Sequence, residues 1–429
     1  MPIDEVKKVC FVGAGTMGCY NSMISALSDY SVALYDISEE ALEQVFERQT
    51  NWGEVLVESG IADHKRVQAA SAAIIRTTDP EKAARDADFL SESVFERLDV
   101  KRRTHQQFDA LLPPHAIMTT NTSTLLLSKI ESAVKRGDKF AAMHFHQPTP
   151  LVDIVPGPRT SPRTMDIIRR FVQSQGQTYV ELKKEREGYL HNTMFGALLG
   201  TAQALAALVG ADFKEIDRSW MLNQNDTIGP FGMLDGVGLN LVKDVLAESV
   251  NREKSPSSPE IVAALAAYLQ PYLDRDNLGM KTGRGFYAYP LPEFQKPEFL
   301  ANRKEDTTLS IPMINTVLAS ALTLVAEGYA DPRDVDKSWM LTHNPKCGPF
   351  GTMDAIGLDV VKKDLLEHAE QIEAMLGNTG TVIETTKIAT NFLNLYVEKG
   401  ELGVKTGKGF YGYPDPEYKK SEFLGGQQT

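Results

Sequence analysis

The sequence is poor in cysteine. Its 429 residues contain only Cys10, Cys19 and Cys347, and no two of them have the Cys-x-x-Cys spacing. An odd number of widely separated cysteines argues against a disulfide framework and against a zinc site. We therefore expect three reduced thiols and no bound metal.

Positive charge is also scarce. Lys and Arg number 45 against 57 Asp and Glu, so the formal net charge is −12. An acidic chain repels polyanions, and nucleic acid and acidic membrane surfaces are poor candidate partners. No apolar run reaches the roughly 18 residues of a membrane span, and charges interrupt the N-terminal MPIDEVKKVC where a signal peptide needs an apolar core. We expect a cytoplasmic protein.

Short β-branched runs alternate with helical stretches from residue 7 to about 184. This alternation is typical of βαβ units and a parallel sheet. After Gly188 the strand pattern ends, and Ala/Leu-rich stretches such as Thr193–Val209 and Ile261–Tyr272 predict buried helices. The predicted strands are Lys8–Val12, Ser31–Tyr35, Ala73–Arg76, Phe89–Val94, Ala116–Thr119, Phe140–Phe145, Leu151–Val155 and Thr178–Glu181.

The helical half contains an internal repeat. The blocks DRSWML, starting at Asp217, and GPFG, starting at Gly229, recur as DKSWML from Asp336 and GPFG from Gly348, at a constant offset of 119 residues. Both segments end in a KTGxGFY block. Similarity of this length predicts a duplicated helical domain, with the polar stretch from 301 to 310 as the linker.

A glycine motif follows the first predicted strand. Val12 leads directly into GAGTMG, from Gly13 to Gly18, and a helix-compatible segment comes next. The first glycine allows a tight turn, Gly15 lets the backbone approach a pyrophosphate, and the third allows close packing of helix on strand. With Thr16 and Met17 at the helix start, the loop is predicted to bind a dinucleotide.

The acidic residue Asp36 ends the second predicted strand. A carboxylate there accepts hydrogen bonds from ribose hydroxyls and repels a 2′-phosphate. The sequence therefore favours NAD over NADP as cofactor.

With these features the sequence resembles the 3-hydroxyacyl-CoA dehydrogenase family over nearly its whole length. The resemblance implies a Rossmann-type α/β NAD domain (1–186) followed by two copies of an all-α domain (187–305 and 306–429) similar to the C-terminal domain of 6-phosphogluconate dehydrogenase. The residues that carry it are the glycine motif, ESVFE from Glu92 with Lys101, TNTS from Thr120, HFHQP from His144, Asn192, and the repeated GPFG and KTGxGFY blocks.

The resemblance also implies a catalytic set. By family position, His144 is the base, Ser123 contacts the substrate, Asp153 orients His144, and Asn192 hydrogen-bonds the substrate. An imidazole suits removal of an alcohol proton near neutral pH. Where the family has glutamate this chain has the shorter Asp153, after a shorter connection. His146 is expected on the opposite side of the strand from His144, where it would take no part.

Five further family positions are implied to lie along NAD. Of these, Gln147 departs from the family's usual asparagine. The five residues are Glu96, Lys101, Asn121, Gln147 and Lys281.

The implied reaction is the reversible NAD-dependent oxidation of a 3-hydroxyacyl-CoA to the 3-ketoacyl-CoA, in fatty-acid or short-chain acyl metabolism. One segment disagrees: residues 39–58 carry six glutamates and a single cation, Arg48, although phosphate groups of CoA favour basic partners. A hydroxy acid without CoA therefore remains an alternative substrate, and a catalytically silent, crystallin-like protein is an alternative of another class. The second helical copy predicts a monomer with an internal pseudo-dimer, or else a homodimer.

Overall fold

The computed structural model describes residues 2–249, 258–375, 377 and 380–425. The chain divides into two units, one running to Leu190 and including the C-terminal segment from Ser421, the other spanning His191–Lys420. All three cysteines are free thiols, and Cys10 and Cys19 are buried.

Within the described residues, the first unit contains one eight-stranded sheet in the order β3-β2-β1-β4-β5-β6-β7-β8. All eight predicted strands are present, and four of them have the predicted bounds. The strands are β1 (Lys8–Val12), β2 (Ser31–Tyr35), β3 (Ile75–Thr77), β4 (Phe89–Glu92), β5 (Ile117–Thr120), β6 (Phe140–Phe145), β7 (Leu151–Pro156) and β8 (Thr178–Glu181).

Strand β1 lies between β2 and β4, and all three are parallel. Val12 is opposite Tyr35 on one side and Glu92 on the other, so the loops that follow these residues meet at one edge. The strand order reverses at β1, which is where open α/β sheets bind ligands. The exception to parallel pairing is β6 with β7, because five residues connect them and a parallel crossover needs a dozen or more.

Helices flank this sheet. Several begin with a side-chain cap, for example Asp63, whose carboxylate accepts the backbone N–H of Arg66, and Ser161, whose hydroxyl accepts that of Thr164. The helices are α1 (Thr16–Leu27), α2 (Glu39–Glu43), α3 (Val45–Glu58), α4 (His64–Ala73), α5 (Pro80–Ala84), α6 (Leu98–Leu111), α7 (Leu127–Glu131) and α8 (Pro162–Ser174).

The described part of the second unit contains two series of five α-helices. The first helices of the two series, α9 and α14, pack against each other, so the copies share one core. The first series is α9 (His191–Ala207), α10 (Phe213–Gln224), α11 (Pro230–Val237), α12 (Leu239–Ser249) and α13 (Pro259–Leu273); the second is α14 (Thr307–Ala326), α15 (Pro332–His343), α16 (Pro349–Ile356), α17 (Leu358–Met375) and α18 (Thr381–Val397).

The repeated motifs build a buried carboxylate at the start of α11 and of α16. Asp217 on α10 accepts the backbone N–H groups of Phe231 (2.8 Å) and Gly232 (3.1 Å), which have no partner inside their helix. Asp336 makes the same two bonds in the second copy, at 2.7 and 3.0 Å. In both copies, therefore, the aspartate of the DxSWML block binds the start of the helix that the GPFG block begins.

A second buried carboxylate holds the KTGxGFY block. Asp235 accepts the backbone N–H groups of Phe286 (2.8 Å) and Tyr287 (2.9 Å) and the hydroxyl of Tyr289 (3.0 Å). A side chain on Gly285 would collide with this carboxylate, which explains the glycine. Asp354 makes the corresponding bonds in the second copy.

The expectation that no apolar run reaches the length of a membrane span is wrong. Helix α14 is long and apolar enough to cross a bilayer, by length and composition alone. Half of its apolar stretch is buried, and the helix packs against α9, α10 and α18. A core helix shared by two helical copies is apolar on several faces, which accounts for the composition.

Two boundaries differ from the sequence prediction. The linker ends before residue 310, because Asp306 caps α14 by accepting the N–H of Thr308. The last described residues belong to the first unit and not to the second helical copy, since the hydroxyl of Thr178 donates to the carbonyl of Leu424 (2.9 Å).

Removing a central carboxylate should destabilise the second unit. We expect Asp235→Ala to lower the free energy of unfolding by about 3 kcal/mol or more, because three buried donors lose their acceptor. Denaturant unfolding measures the change, and exposed Asp244→Ala on α12 is the control. Equal stability of the two variants would contradict a structural role for this motif.

Candidate active site

The glycine loop has the shape that a dinucleotide needs. Gly13 has φ +103°, and a Cβ there would lie 2.7 Å from the carbonyl oxygen of Ser93. A Cβ on Gly18 would overlap the carbonyl oxygen of Gly13, so helix α1 can pack this closely only with glycine. At Gly15 nothing lies within 4 Å of the Cβ position, and a ligand can approach the backbone.

The start of α1 is free to receive an anion. Gly15 is the cap residue and provides no side-chain bond, and the first turn contains no acidic residue. Thr16 is exposed and Met17 half-buried. The open backbone N–H groups and the helix dipole therefore suit the pyrophosphate of NAD.

Asp36 lies beside this loop. One carboxylate oxygen accepts the N–H of Ala14 (2.7 Å) and the other accepts that of Ser38 (2.9 Å). Each oxygen retains a lone pair for a ribose hydroxyl. The residues present thus fit NAD.

Two apolar side chains at the same edge were not found from the sequence. Ile37 and Phe95 follow β2 and β4 and are 84% and 82% exposed. Exposed apolar groups beside a nucleotide loop suit the flat face of adenine. The sequence feature that could have identified them is their position directly after the two parallel strands that flank β1.

A charge change at Asp36 tests the cofactor choice. We expect Asp36→Asn to raise KM for NAD and to increase the NADP/NAD ratio of kcat/KM about tenfold, because the 2′-phosphate is no longer repelled. Steady-state kinetics with both cofactors measure this. The control is Asp29→Asn, an exposed aspartate before the other end of β2; an unaltered ratio in Asp36→Asn would oppose the assignment.

The catalytic candidates meet at the ends of β5, β6 and β7. His144 and Asp153 are directly opposite each other in the antiparallel pair. Nδ1 of His144 lies 3.1 Å from Oδ2 of Asp153, and Nε2 lies 2.9 Å from Oγ of Ser123. The carboxylate requires the imidazole proton on Nδ1, so Nε2 carries the lone pair that can accept a proton.

The expectation for His146 is wrong. Nε2 of His146 lies 2.5 Å from the same Oδ2 of Asp153, and the rings of the two histidines are 4.4 Å apart. Residues two apart on a strand share a face, whereas the intervening Phe145 points away. The two histidines therefore share one carboxylate oxygen.

Burial and the second histidine both change the pKa of the candidate base, His144. Burial lowers the pKa of His144, and His146 lowers it further, although Asp153 opposes both. Hydrogen bonds and charge interactions with the histidines hold the pKa of Asp153 below its usual range despite its burial. His144 is therefore neutral, and able to accept a proton, at lower pH than an ordinary histidine.

These three residues also form a group with metal-ligand chemistry, which the cysteine count did not anticipate. One atom each of His144, His146 and Asp153 lies within 4.8 Å of the others. A cation bound there would occupy lone pairs that the hydrogen bonds use. Metal binding and the hydrogen-bonded arrangement therefore exclude each other.

Glu96 and Lys101 support the loop that carries Ser123. Oε1 of Glu96 accepts the N–H groups of Ser123 (2.8 Å) and Thr124 (2.9 Å). The side chain of Lys101 is 1% exposed, and its ammonium lies 3.3 Å from Glu96 and 2.7 Å from Glu92. The loop position therefore depends on a buried ion pair beneath it, and contact of these residues with NAD stays a prediction.

Asn121 and Gln147 also contact the surrounding protein. The side-chain oxygen of Asn121 accepts the N–H of Phe145 (2.9 Å), which ties β5 to β6 beside His144. The amide of Gln147 lies 3.4 Å from the side chain of Asn21 on α1. Asn121 thus lies beside the base, and Gln147 lies against α1, the helix that follows the glycine loop.

Tyr189 is a further residue that the sequence did not single out. Its ring centroid lies 5.4 Å from that of His144, it is buried, and its backbone φ is +44°. A bulky residue adopts this conformation only where its surroundings enforce it. Tyr189 contributes to the burial that lowers the pKa of His144.

Asn192 and Lys281 belong to the second unit. Asn192 is the second residue of α9, half-buried, with Oδ1 3.3 Å from Nδ1 of His191. The ammonium of Lys281 is 2.5 Å from the side-chain oxygen of Asn240, and its role at the cofactor stays a prediction.

The chain was compared with known proteins. The family model "3-hydroxyacyl-CoA dehydrogenase, NAD binding domain" matches residues 8–186, and the C-terminal domain model matches twice, at 188–289 and 312–413. The mouse mitochondrial hydroxyacyl-coenzyme A dehydrogenase is 29% identical over 301 residues, 66% of this chain and 91% of the relative. The 5-formyl-3-hydroxy-2-methylpyridine 4-carboxylate 5-dehydrogenase of Mesorhizobium japonicum is 26% identical, covering 66% and 91%.

Two solved structures agree in fold. A diketoreductase has a TM-score of 0.61 with 32% identity, over 67% of this chain and all of that one. The 3-hydroxybutyryl-CoA dehydrogenase of Escherichia coli has a TM-score of 0.73 over 90% of this chain and 99% of its own, at 19% identity, and shows the fold alone.

Fold and site together define an NAD-dependent dehydrogenase. The chain belongs to the 3-hydroxyacyl-CoA dehydrogenase family. The double match of the C-terminal model confirms the duplication that the repeat predicted.

Replacing the second histidine should shift the pH profile. A base acts while neutral, so activity falls as pH drops through its pKa. His146→Phe removes a group that lowers the pKa of His144, and we expect the acidic limb of kcat/KM to move to higher pH. The control is His115→Phe, an exposed histidine paired with Asp88; a shift to lower pH in His146→Phe would contradict the argument.

Proposed function

We propose that this protein oxidises the 3-hydroxyl group of a 3-hydroxyacyl-CoA to the 3-keto product with NAD, reversibly, in fatty-acid or short-chain acyl metabolism. The observation that supports this most is the hydrogen-bonded line Ser123–His144–Asp153 at the carboxyl edge of an NAD-type sheet. The family membership and the named activities of the relatives support the same reaction.

The proton chemistry follows from the tautomer of His144. Nε2 accepts the proton of the substrate hydroxyl, and Asp153 stabilises the imidazolium through Nδ1–H. Ser123, already 2.9 Å from Nε2, hydrogen-bonds the same substrate oxygen, and Asn192 keeps its predicted role as a second partner of substrate oxygen. When bound, NAD supplies the acceptor for the hydride.

A substrate without CoA is the second candidate. All six glutamates between residues 39 and 58 are exposed, while the single cation there, Arg48, is bound to the carbonyl of Ala14 (2.6 Å). This surface offers little to the phosphates of CoA. The pyridine-carboxylate dehydrogenase among the relatives acts on a ring acid according to its name, which favours this alternative.

A substrate panel separates the candidates. We expect NADH formation with (S)-3-hydroxybutyryl-CoA at a kcat/KM at least about a hundredfold above that with free 3-hydroxy acids, since the thioester adds binding contacts. Absorbance of NADH gives the rates. Turnover of free acids alone would replace the first proposal by the second, and turnover of neither would favour the crystallin-like alternative.

His144→Ala tests the base. We expect kcat to fall about a thousandfold with NAD affinity unchanged, because only proton transfer is lost. Stopped assays and cofactor titration measure the two quantities. The control His64→Ala removes an exposed histidine on α4; wild-type turnover by His144→Ala would eliminate His144 as the base.

We also propose that the protein is a cytoplasmic monomer whose two helical copies form an internal pseudo-dimer. The packing of α9 against α14 within one unit supports this, because it pairs equivalent helices of the two copies. A stable dimer in sedimentation at low concentration would contradict it.

A further inference from the structure

The two helical copies meet in a stack of rings next to Asn192. His191 begins α9 of the first copy, and His343 ends α15 of the second; their Nε2 atoms are 3.2 Å apart. Trp339 stacks on His343 at 4.0 Å, and Phe195 stacks on His191 at 5.0 Å. Neighbouring rings thus fix the planes of both imidazoles.

A contact between two ring nitrogens couples the proton positions of the two imidazoles. Because one nitrogen must donate and the other accept, the tautomer of His343 decides that of His191. Nδ1 of His191 lies 3.3 Å from Oδ1 of Asn192, and because an amide oxygen can only accept, Nδ1 of His191 carries the proton. Nε2 of His191 then accepts, and Nε2 of His343 donates. The N–H₂ end of the Asn192 amide is then left to donate to a substrate oxygen.

The surroundings keep His343 neutral, as this arrangement needs. Burial lowers the pKa of His343 to about 4. The facing acidic group is Asp226, whose Oδ2 is 3.9 Å from Nδ1 of His343, beyond hydrogen-bond distance. Asp226 accepts instead from Trp220 (3.3 Å) and from the N–H of Thr227 (2.7 Å), and burial raises its pKa.

We propose that His343 of the second helical copy is a positioning residue, which acts through His191 to orient the Asn192 amide with its N–H₂ group toward the substrate. This inference rests on the substrate role of Asn192 in the proposed function. It gives the second copy a part in the reaction as well as in the core. The counterpart of His343 in the first copy is Gln224, at the repeat offset of 119 residues.

A double-mutant cycle tests the chain of contacts. His343→Phe keeps a ring to stack on Trp339 but loses the donor, and His343→Gln keeps a donor. We expect His343→Phe to lower kcat/KM for the hydroxy substrate about tenfold with KM for NAD unchanged, and His343→Gln to retain most activity. In an Asn192→Ala background, His343→Phe should have no further effect.

Several results would overturn the proposal. One is an equal loss of kcat/KM from His343→Phe in the wild-type and Asn192→Ala backgrounds. The others are an equal loss of kcat/KM in His343→Phe and His343→Gln, and full activity in Asn192→Ala. Thermal melting of every variant identifies losses caused by unfolding. The cycle uses whichever substrate of the panel is turned over, so failure of the CoA assignment does not affect it.

A second readout needs no substrate. In protein labelled with ¹⁵N at its histidines, the proposal expects His191 protonated on Nδ1 and His343 on Nε2, with the two resonances assigned from the His191→Gln and His343→Gln variants. The opposite pair of tautomers would overturn the proposal even if the protein turned over no substrate tested.

Discussion

The antiparallel pairing of β6 with β7 is the constraint on which the site depends. It places Asp153 directly opposite His144, so the carboxylate reaches the imidazole although its side chain is one methylene shorter than glutamate. The short connection after β6 makes this pairing necessary. The same carboxylate oxygen then fixes the tautomer of His144, and through it the direction in which a proton can move.

A buried ion pair supports the loop that carries Ser123. Lys101, held between Glu92 and Glu96, links β4 to the loop of Ser123 without contact with solvent. A buried ion pair contributes little net stability, but breaking it is costly, which makes it suited to fixing a geometry. In the helical unit, Asp217 and Asp235 and their second-copy counterparts have an equivalent structural task.

The two helical copies illustrate how duplication changes a protein. Their motif residues coincide because each copy must satisfy the same helix start and the same turn, whereas residues at the contact between copies have diverged, as His343 and Gln224 show. The apolar composition of α14 has the same origin, since a helix shared between copies is covered on several sides.

The sequence by itself determined the glycine loop, Asp36, the eight strands and the duplication, because each depends on local spacing that a linear pattern records. It also brought forward Ser123, His144 and Asp153 as candidates. Only the tertiary structure decided that His146 shares Asp153, that Tyr189 buries the base, and that Ile37 and Phe95 flank the glycine loop. The reason is physical: these relations join residues on different strands or turns, and their distances are set by strand register and packing, which sequence spacing does not encode.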